Sequence, residues 1–388
     1  FQTAAILNHS IRPCWDRSTD MGDGAPPESR VDPGFWAGRR VFVTGHTGFK
    51  GSWLSLWLRH MGAEVAGCAL APPSDPNLFS LADVADGIID YRANVRDLDT
   101  LSATMRDHAP EVVFHLAAQA LVRPSYDDPV ETFSTNVMGT VNVLEAARSI
   151  GSLRAVVVIT SDKCYENREH DRGYAETDAM GGHDPYSSSK GCAELVTASF
   201  RNSFFSTNGN AANIATARAG NIIGGGDWGT DRLIPDLMRA FAAGEEALIR
   251  YPDAIRPWQH VLDPTAGYLT LAQRLCESGP EFGEGWNFGP PPESERPVRH
   301  LVETMSTLWG DGAGWTLDSA ETPHEAGYLK LNVNKSRARL GWRARLDLAG
   351  ALEQTVAWYK GLADGGSARA LTLQQIENYA SDAPDAEG

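Results

Sequence analysis

Residues Arg39 to Leu70 read RRVFVTGHTGFKGSWLSLWLRHMGAEVAGCAL. Arg39–Thr44, RRVFVT, is the apolar, β-branched run of a buried strand. GHTGFKG follows, with Gly45, Gly48 and Gly51. SWLSLWLRHMG has helical periodicity and stops at Gly62, and AEVAGCAL is a second strand. Strand, glycine turn, helix, strand is a dinucleotide-binding unit. The glycines let the backbone approach a pyrophosphate, and the helix N-terminus favours its negative charge. A glycine turn by itself also reads as a plain strand-to-helix connection, so the order of the elements carries the assignment. Thr44, Gly45, His46, Thr47, Gly48, Phe49, Lys50 and Gly51 form this turn. The acidic residue that usually follows the second strand is missing. Ala69, Leu70 and Ala71 stand there, with Asp75 the nearest carboxylate, and no arginine stands there for a 2′-phosphate.

Outward from this unit the alternation continues. A short strand and turn cover IIDYRANVRD, then Leu98–His108 is a helix and Glu111–Ala118 a strand. Val130–Ile150 is a long helix, Ala155–Ser161 (AVVVITS) a strand, and Asn213–Arg218 (NIATAR) another. The class is α/β, a doubly wound parallel Rossmann sheet. Beyond Asn221 the pattern breaks into GGGDW, proline turns and short helices, which predicts a smaller C-terminal substrate-binding region. Strand-like segments recur near Ala247–Tyr251 and Gly285–Phe288, and a late helix covers Leu346–Leu362. The expected organisation is a disordered extension over 1–34, a dinucleotide-binding domain over 35–220, a mainly substrate-binding region that returns to the core over 221–364, and a partly helical tail over 365–388. Met21 is one candidate for the natural start.

A second stretch carries chemistry: Thr160 to Lys190, TSDKCYENREHDRGYAETDAMGGHDPYSSSK. Tyr186 and Lys190 are four residues apart, one above the other on a helix face. At ~4 Å and an effective dielectric of ~20, the ammonium is worth about 4 kcal/mol. That is roughly three pKa units, enough to bring a phenol near neutrality and let it take a proton from a sugar hydroxyl. Ser161 ends a strand, where open α/β sheets place ligands. Asp162 and Lys163 follow at once. Taken singly, Tyr-x-x-x-Lys also reads as helix surface, and Asp162–Lys163 as a solvated ion pair.

Composition excludes several classes. The net charge of −16 argues against generic nucleic-acid or anionic-membrane binding. No run of eighteen apolar residues exists, so no membrane span is expected. Five scattered cysteines form no CxxC pair, which indicates neither a disulfide framework nor zinc, and a reducing, cytoplasmic setting. His9, His60, His108 and His170 have no paired ligand spacing, so no metal is expected.

The motifs together resemble the extended short-chain dehydrogenase/reductases, and within them the nucleotide-sugar 4,6-dehydratases of the branch acting on CDP-glucose. The matching stretches include VFVTGHTGFKGSWLSLWL, ITSDKCYENRE, MGGHDPYSSSKGCAELV, RAGNIIGGGDW, DRLIPD, IRPWQHVL and PHEAGYLKL, spanning about Phe35 to Lys360. The resemblance implies bound NAD and a redox-neutral loss of water. The hydride leaves C4 of glucose, the C5 proton becomes acidic, water leaves from C6, and the hydride returns there. The product class feeds deoxysugar biosynthesis, including lipopolysaccharide O-antigen.

On this resemblance Tyr186 is the base for the C4 hydroxyl, with Lys190 beside it and on the cofactor ribose. Ser161 binds the C4 oxygen, Asp162 is the acid at C6 and Lys163 the base at C5. Relatives acting on dTDP-glucose carry Asp-Glu at the last two positions. Asn94 and Val95 fall beside the adenine. Leu116, Ala117, Ala118, Gln119, Ser125 and Thr160 fall along the cofactor. Asn136, Asn221, Arg232, Leu233, Arg256, His324 and Tyr328 are the expected sugar-nucleotide contacts, the two arginines suiting a pyrophosphate. Trp258 and His260 read as packing. A homodimer through a four-helix bundle of Val130–Ile150 and Tyr186–Phe205 is also implied. Two alternatives stay open: another nucleotide-sugar dehydratase, 4-epimerase or decarboxylase of the same fold, and a non-catalytic NAD(H)-sensing module.

Overall fold

The computed structural model describes residues 28–169, 171–205, 212–310, 312–318 and 329–381. The disorder expected over 1–27 and in the acidic end, and the Met21 start, lie outside the described residues.

The six predicted strands form: β1 Arg40–Thr44, β2 Glu64–Ala69, β3 Ile89–Arg92, β4 Val112–His115, β5 Ala155–Ile159 and β6 Asn213–Arg218. The pleat sends Val41 and Val43 to one side and Phe42 to the other, and both sides are buried. A sheet so sandwiched has to be parallel and covered by crossover helices, and every pairing is parallel. A seventh strand, Gly285–Asn287, comes from the C-terminal region and joins β6. The order across the sheet is seventh, β6, β5, β4, β1, β2, β3. The direction of winding reverses between β1 and β4, which opens a crevice at their carboxyl ends.

The Val130–Ile150 helix runs as Pro129–Phe133, a π turn Ser134–Met138, and Gly139–Arg148. The helix carrying Tyr186 is Pro185–Phe200, continued by a π turn to Phe205. Short two-stranded ladders fill the C-terminal region, Ile222–Ile223 with Gln259–His260 and Ala247–Ile249 with Trp315–Leu317 among them. This region shares one apolar core with the sheet: Ile223, Leu237 and Met305 lie in the same cluster as Val41 and Val157.

One expectation about the ends needs correction. Residues 28–34 are not a loose extension. Ser29 N–H donates to the Gly341 carbonyl at 3.0 Å, Asp32 caps a short helix over Pro33–Trp36, and Trp36 is fully buried. The C-terminal segment, expected as a partly helical tail, is docked on the body of the chain. Ala368–Ser381 is a helix whose Ile376 and Tyr379 are buried, and Tyr379 meets Trp57 edge to face at 5.7 Å. A polar lock accompanies this docking. Asp263 Oδ1 accepts from the Tyr379 hydroxyl at 2.9 Å and the Arg345 N–H at 2.7 Å, while Oδ2 is buried without a partner.

Burial pushes the Asp263 carboxyl from 3.8 up to about 7, against the pull of the Arg345 N–H and the Tyr379 hydroxyl. The folded chain therefore keeps a proton that the unfolded chain gives up, and stability falls as pH rises across that window. Asp263→Asn keeps the acceptor oxygen and removes the titration. Its unfolding free energy relative to wild type should rise by about 2–4 kcal/mol between pH 4 and pH 7. Denaturant melts at the two pH values measure it, and a pH-independent difference would contradict the assignment.

Candidate active site

At the crevice the backbone of the glycine turn lies against β4. Gly45 has φ +75°, and a Cβ there would sit 2.7 Å from the Ala117 nitrogen. Gly51 packs on the Gly45 carbonyl so closely that any Cβ would overlap it. Gly48 is the N-cap of the helix Phe49–His60, and no side chain caps that helix. A bare helix N-terminus behind a side-chain-free turn is a cradle that fits a dinucleotide pyrophosphate.

Thr44 ties the floor together. Its hydroxyl pairs with His115 Nδ1 at 2.7 Å and accepts from the Ala117 N–H at 3.2 Å. His115 is pushed down to about 3, by burial first and by Lys190 second, so the ring is neutral. Leu116, Ala117 and Ala118 leave β4 directly over this floor.

His46 does not line the turn with its ring. The imidazole turns beneath it, into space left by Gly67, and pairs with Asp90 Oδ1 at 2.8 Å. Thr47 donates to the Leu70 carbonyl at 3.1 Å. Lys50, by contrast, faces the crevice. Burial, then Lys190 and Arg232, push its ammonium down to about 7, with Asp162 and Asp227 opposing.

The catalytic-type residues meet at the end of β5. Thr160 and Ser161 leave the strand, and Asp162–Cys164 is a single 3-10 turn. The Ser161 hydroxyl accepts from the Lys163 N–H at 3.2 Å and donates to Asp162 Oδ1 at 2.9 Å. The Asp162 carboxylate occupies the volume that a side chain at Gly220 would need. Asp184 caps the helix Pro185–Phe200, accepting from the Ser187 N–H at 2.9 Å, and Pro185 starts it. That places Tyr186 in its first turn and Lys190 one turn on, both on the buried face.

The expected electrostatics of this pair need correcting. Tyr186 is pushed up to about 12: burial is the largest cause, the Ser161 hydroxyl pulls down, the Asp162 charge pushes up, and Arg232 pulls down. Burial, not Lys190, is the leading cause. The Lys190 Nζ donates to the Ile159 carbonyl at 3.3 Å, and burial pushes it down to about 8. In so dry a site desolvation outweighs the ion–phenol attraction.

Other expected contacts separate into two groups. Asn136 does not face a ligand: its Oδ1 accepts from the Gln119 N–H at 2.8 Å, and its amide donates to the Gln119 carbonyl and to Ser189 Oγ at 2.8 Å. It braces the floor. Ser125 is likewise fully buried, its hydroxyl donating to the Val122 carbonyl and accepting from the Tyr186 N–H at 3.2 Å. Gln119 Oε1 accepts from the Leu121 N–H. Val95 is buried, its carbonyl held by Asn142 at 2.9 Å, and Asn94 Oδ1 accepts from the Arg96 N–H at 3.0 Å.

Arg232 precedes the helix Leu233–Ala243 and acts on both Lys50 and Tyr186, so it faces the crevice. Asn221, at φ +49°, holds Gln259 through its carbonyl. Arg256 lies on the strand Ile255–Pro257 opposite Arg296. His324 and Tyr328 lie outside the described residues. Trp258 and His260 are packing residues, His260 meeting Trp53 edge to face at 5.9 Å.

Two residues escaped the sequence reading. Arg92 reaches the end of β2 from β3, where Ala69 and Arg92 are in register. It donates to the Leu70 carbonyl at 3.1 Å and to Asp90 at 2.8 Å. Only the strand register reveals an arginine there. Asp227 pairs with Arg232 at 2.6 Å, and the GGGDW string five residues upstream was its signal.

The sheet order, the glycine turn, and Ser161, Tyr186 and Lys190 at one crevice define an enzyme of the short-chain dehydrogenase/reductase class. Residues 42–280 match the family described as GDP-mannose 4,6 dehydratase, and the chain belongs to that family. It is 52% identical over 358 residues to a CDP-glucose 4,6-dehydratase of Salmonella typhimurium, covering 90% of this chain and 99% of the relative. Among solved structures, MoeE5 in complex with UDP-glucuronic acid and NAD is 26% identical with a TM-score of 0.68, over 82% of this chain and 98% of that one. The UDP-glucose-4-epimerase of Stenotrophomonas maltophila, with bound NAD and formylated UDP-arabinopyranose, matches in fold with a TM-score of 0.72 at 23% identity, over 84% and 100% of the two chains.

Gly220→Ala tests the seating of Asp162. The added methyl must displace the carboxylate and the Ser161 hydroxyl bound to it. Turnover should fall about a hundredfold or more with the far-UV circular dichroism unchanged. Wild-type turnover would show that the carboxylate does no work in that position.

Proposed function

We propose that this chain is a CDP-glucose 4,6-dehydratase, a hydro-lyase that converts CDP-D-glucose to CDP-4-keto-6-deoxy-D-glucose and water with NAD held through the cycle. The observation that carries the reading is the turn after β5. It presents a hydroxyl, a carboxylate and an amine in sequence, Ser161, Asp162 and Lys163, at the crevice that holds Tyr186 and Lys190. The extended identity to the Salmonella enzyme supports the same substrate. A 4-epimerase needs the tyrosine and lysine but not the acid and base that follow the serine.

Bound NAD supplies the hydride exchange between C4 and C6, and its cationic ring favours a phenolate. The protein does the rest. Tyr186 takes the proton from the C4 hydroxyl while Ser161 donates a hydrogen bond to that oxygen. Lys190 sits at the ribose side and supports the phenolate. Lys163 and Asp162 share one proton: with it on Asp162, the Lys163 amine removes the C5 proton and Asp162 protonates the departing C6 hydroxyl. The glycine turn, with the carboxyl ends of β1 and β4, holds the pyrophosphate. Arg232 and Arg256, and with them Asn221 and Leu233, take the sugar nucleotide. In this reading residues 35–220 carry the cofactor and 221–364 most of the substrate contacts.

The chain works as a homodimer. The helices over Pro129–Arg148 and Pro185–Phe200 leave large apolar side chains in water, Val130 at 77% and Leu195 at 62% exposure. Between them lies a groove of about 480 Å³ lined by Val130, Phe133, Val137, Met138 and Cys192. So apolar a face is costly to leave wet, and a second copy closes it as a four-helix bundle. No described helix is long and apolar enough to cross a membrane. We place the enzyme in the cytoplasm, making a 4-keto-6-deoxy sugar nucleotide of the kind O-antigen assembly consumes.

A panel of CDP-, dTDP-, UDP- and GDP-glucose and GDP-mannose, with product mass measured, tests the substrate. Loss of water from CDP-glucose alone is expected, and dehydration of another sugar in its place would overturn the base assignment. Lys163→Met should stop after oxidation at C4 and take up no solvent deuterium at C5, whereas wild-type product carries it. Full exchange by the variant would move the base role elsewhere. Val130→Glu with Leu195→Glu should halve the mass in light scattering and expose Cys192 to thiol reagents. An intact dimer would reject this interface.

A further inference from the structure

We propose that Glu194 is a positioning residue for the proton-transfer step, holding the end of β5 in place and supplying the negative charge that balances Lys190. The proposal rests on the reading of Tyr186 and Lys190 given above. Glu194 lies one helical turn beyond Lys190 on the buried face of Pro185–Phe200. One carboxylate oxygen accepts from the hydroxyl of Thr160, the residue before Ser161. The other accepts from Thr216 Oγ1 at 2.7 Å and from Arg218 Nη2 at 2.7 Å. Both members of the ion pair are only 5% exposed. Arg218 passes the network on to the Tyr165 hydroxyl at 2.6 Å, and Tyr165 donates to Asn287 Oδ1 at 2.7 Å. Asn287 in turn donates to the carbonyls of Tyr174 and Asn332.

A buried ion pair of this kind is poor value as a stabiliser, since apolar residues of equal volume pack at least as well. Its placement explains it better. Glu194 grips Thr160 while Lys190, one turn earlier, grips the Ile159 carbonyl. Two successive residues at the end of β5, leading into Ser161, are thus held by two successive turns of the helix that carries Tyr186. The reacting hydroxyl and phenol cannot shift relative to each other without breaking both grips.

The charge balance around Lys190 points the same way. From its own helix it faces Tyr186 and Glu194. From the turn after β5 it faces Cys164, from β4 the neutral His115, and from the glycine-turn helix Lys50. Asp162 and Arg232 act on Lys50. Arg218, Thr160 and Thr216 keep Glu194 ionised against its burial, and Arg201 and Cys164 also feel its charge. Glu194 is therefore the anion that opposes the loss of the Lys190 proton on burial.

Two variants separate this role from simple packing. Glu194→Gln removes the charge and leaves Arg218 unpaired. Glu194→Leu with Arg218→Met removes the pair together and restores a neutral core. The first readout is the pH dependence of Lys190 acylation by a small amine-reactive reagent, followed by peptide mass spectrometry, which reports on Lys190 whatever the substrate is. The second is the alkaline limb of turnover with CDP-glucose. In both variants the Lys190 titration and the alkaline limb should move down by about one pH unit or more, with KM little changed. An unmoved Lys190 titration in the folded double variant overturns the proposal, and so does failure of that variant to fold, which would mark the pair as purely structural. Lack of dehydration by the wild-type enzyme would instead reject the functional reading, and the labelling result would still decide the role of Glu194.

Discussion

Three places where no side chain fits hold the crevice together. Gly45 lies against the backbone leaving β4, Gly51 against the Gly45 carbonyl, and Gly220 against the Asp162 carboxylate. A Cβ at the first would force β1 and β4 apart at the point where the sheet reverses its winding. One at the second would unseat the helix whose N-terminus faces the turn, and one at the third would evict the Asp162 carboxylate. The open crevice follows from these close approaches, because backbone can come nearer to backbone than any side chain allows. Thr44 and His115 then fix the two strand ends by hydrogen bonds across the floor.

Within that crevice burial decides the charge states. It is the largest cause at Tyr186, Lys190, Lys50 and His115 alike, raising the phenol and lowering the three bases. The ordinary order of the pair is thereby inverted: burial puts Lys190 at about 8, below Tyr186 at about 12. The protein alone does not hold a phenolate. A further positive charge brought beside the phenol is what shifts the balance, so ionisation is coupled to loading of the site. Such coupling keeps the phenol protonated until that charge arrives.

Much of this was legible in the sequence because it is local. β5 and β6 were readable as runs of buried-type residues, and the helix of Tyr186 from the four-residue spacing to Lys190. What stayed hidden depends on distance. Asn136 reads as a helix residue near a ligand, and only the fold shows both ends of its amide committed to Gln119 and Ser189. Arg92 is brought to the end of β2 by strand register, which no local pattern encodes. The helix Ala368–Ser381 buries Ala368, Thr372, Gln375, Ile376 and Tyr379. That is a regular stripe, but two of its five members are polar, and the apolar signal was too thin to announce a docked helix.

The docking of that helix has a consequence for how the chain is made. Arg369 reaches back to the Ala82 and Asp83 carbonyls, 287 and 286 residues earlier, and Tyr379 closes over Trp57. At roughly 5–20 residues per second of synthesis, the helix Phe49–His60 leaves the ribosome on the order of tens of seconds before its cover exists. During that interval Trp57 and its neighbours face water or a chaperone. A nascent chain stopped before Ala368 would keep the sheet order and the whole crevice, yet carry a permanent apolar scar on the back of its first helix.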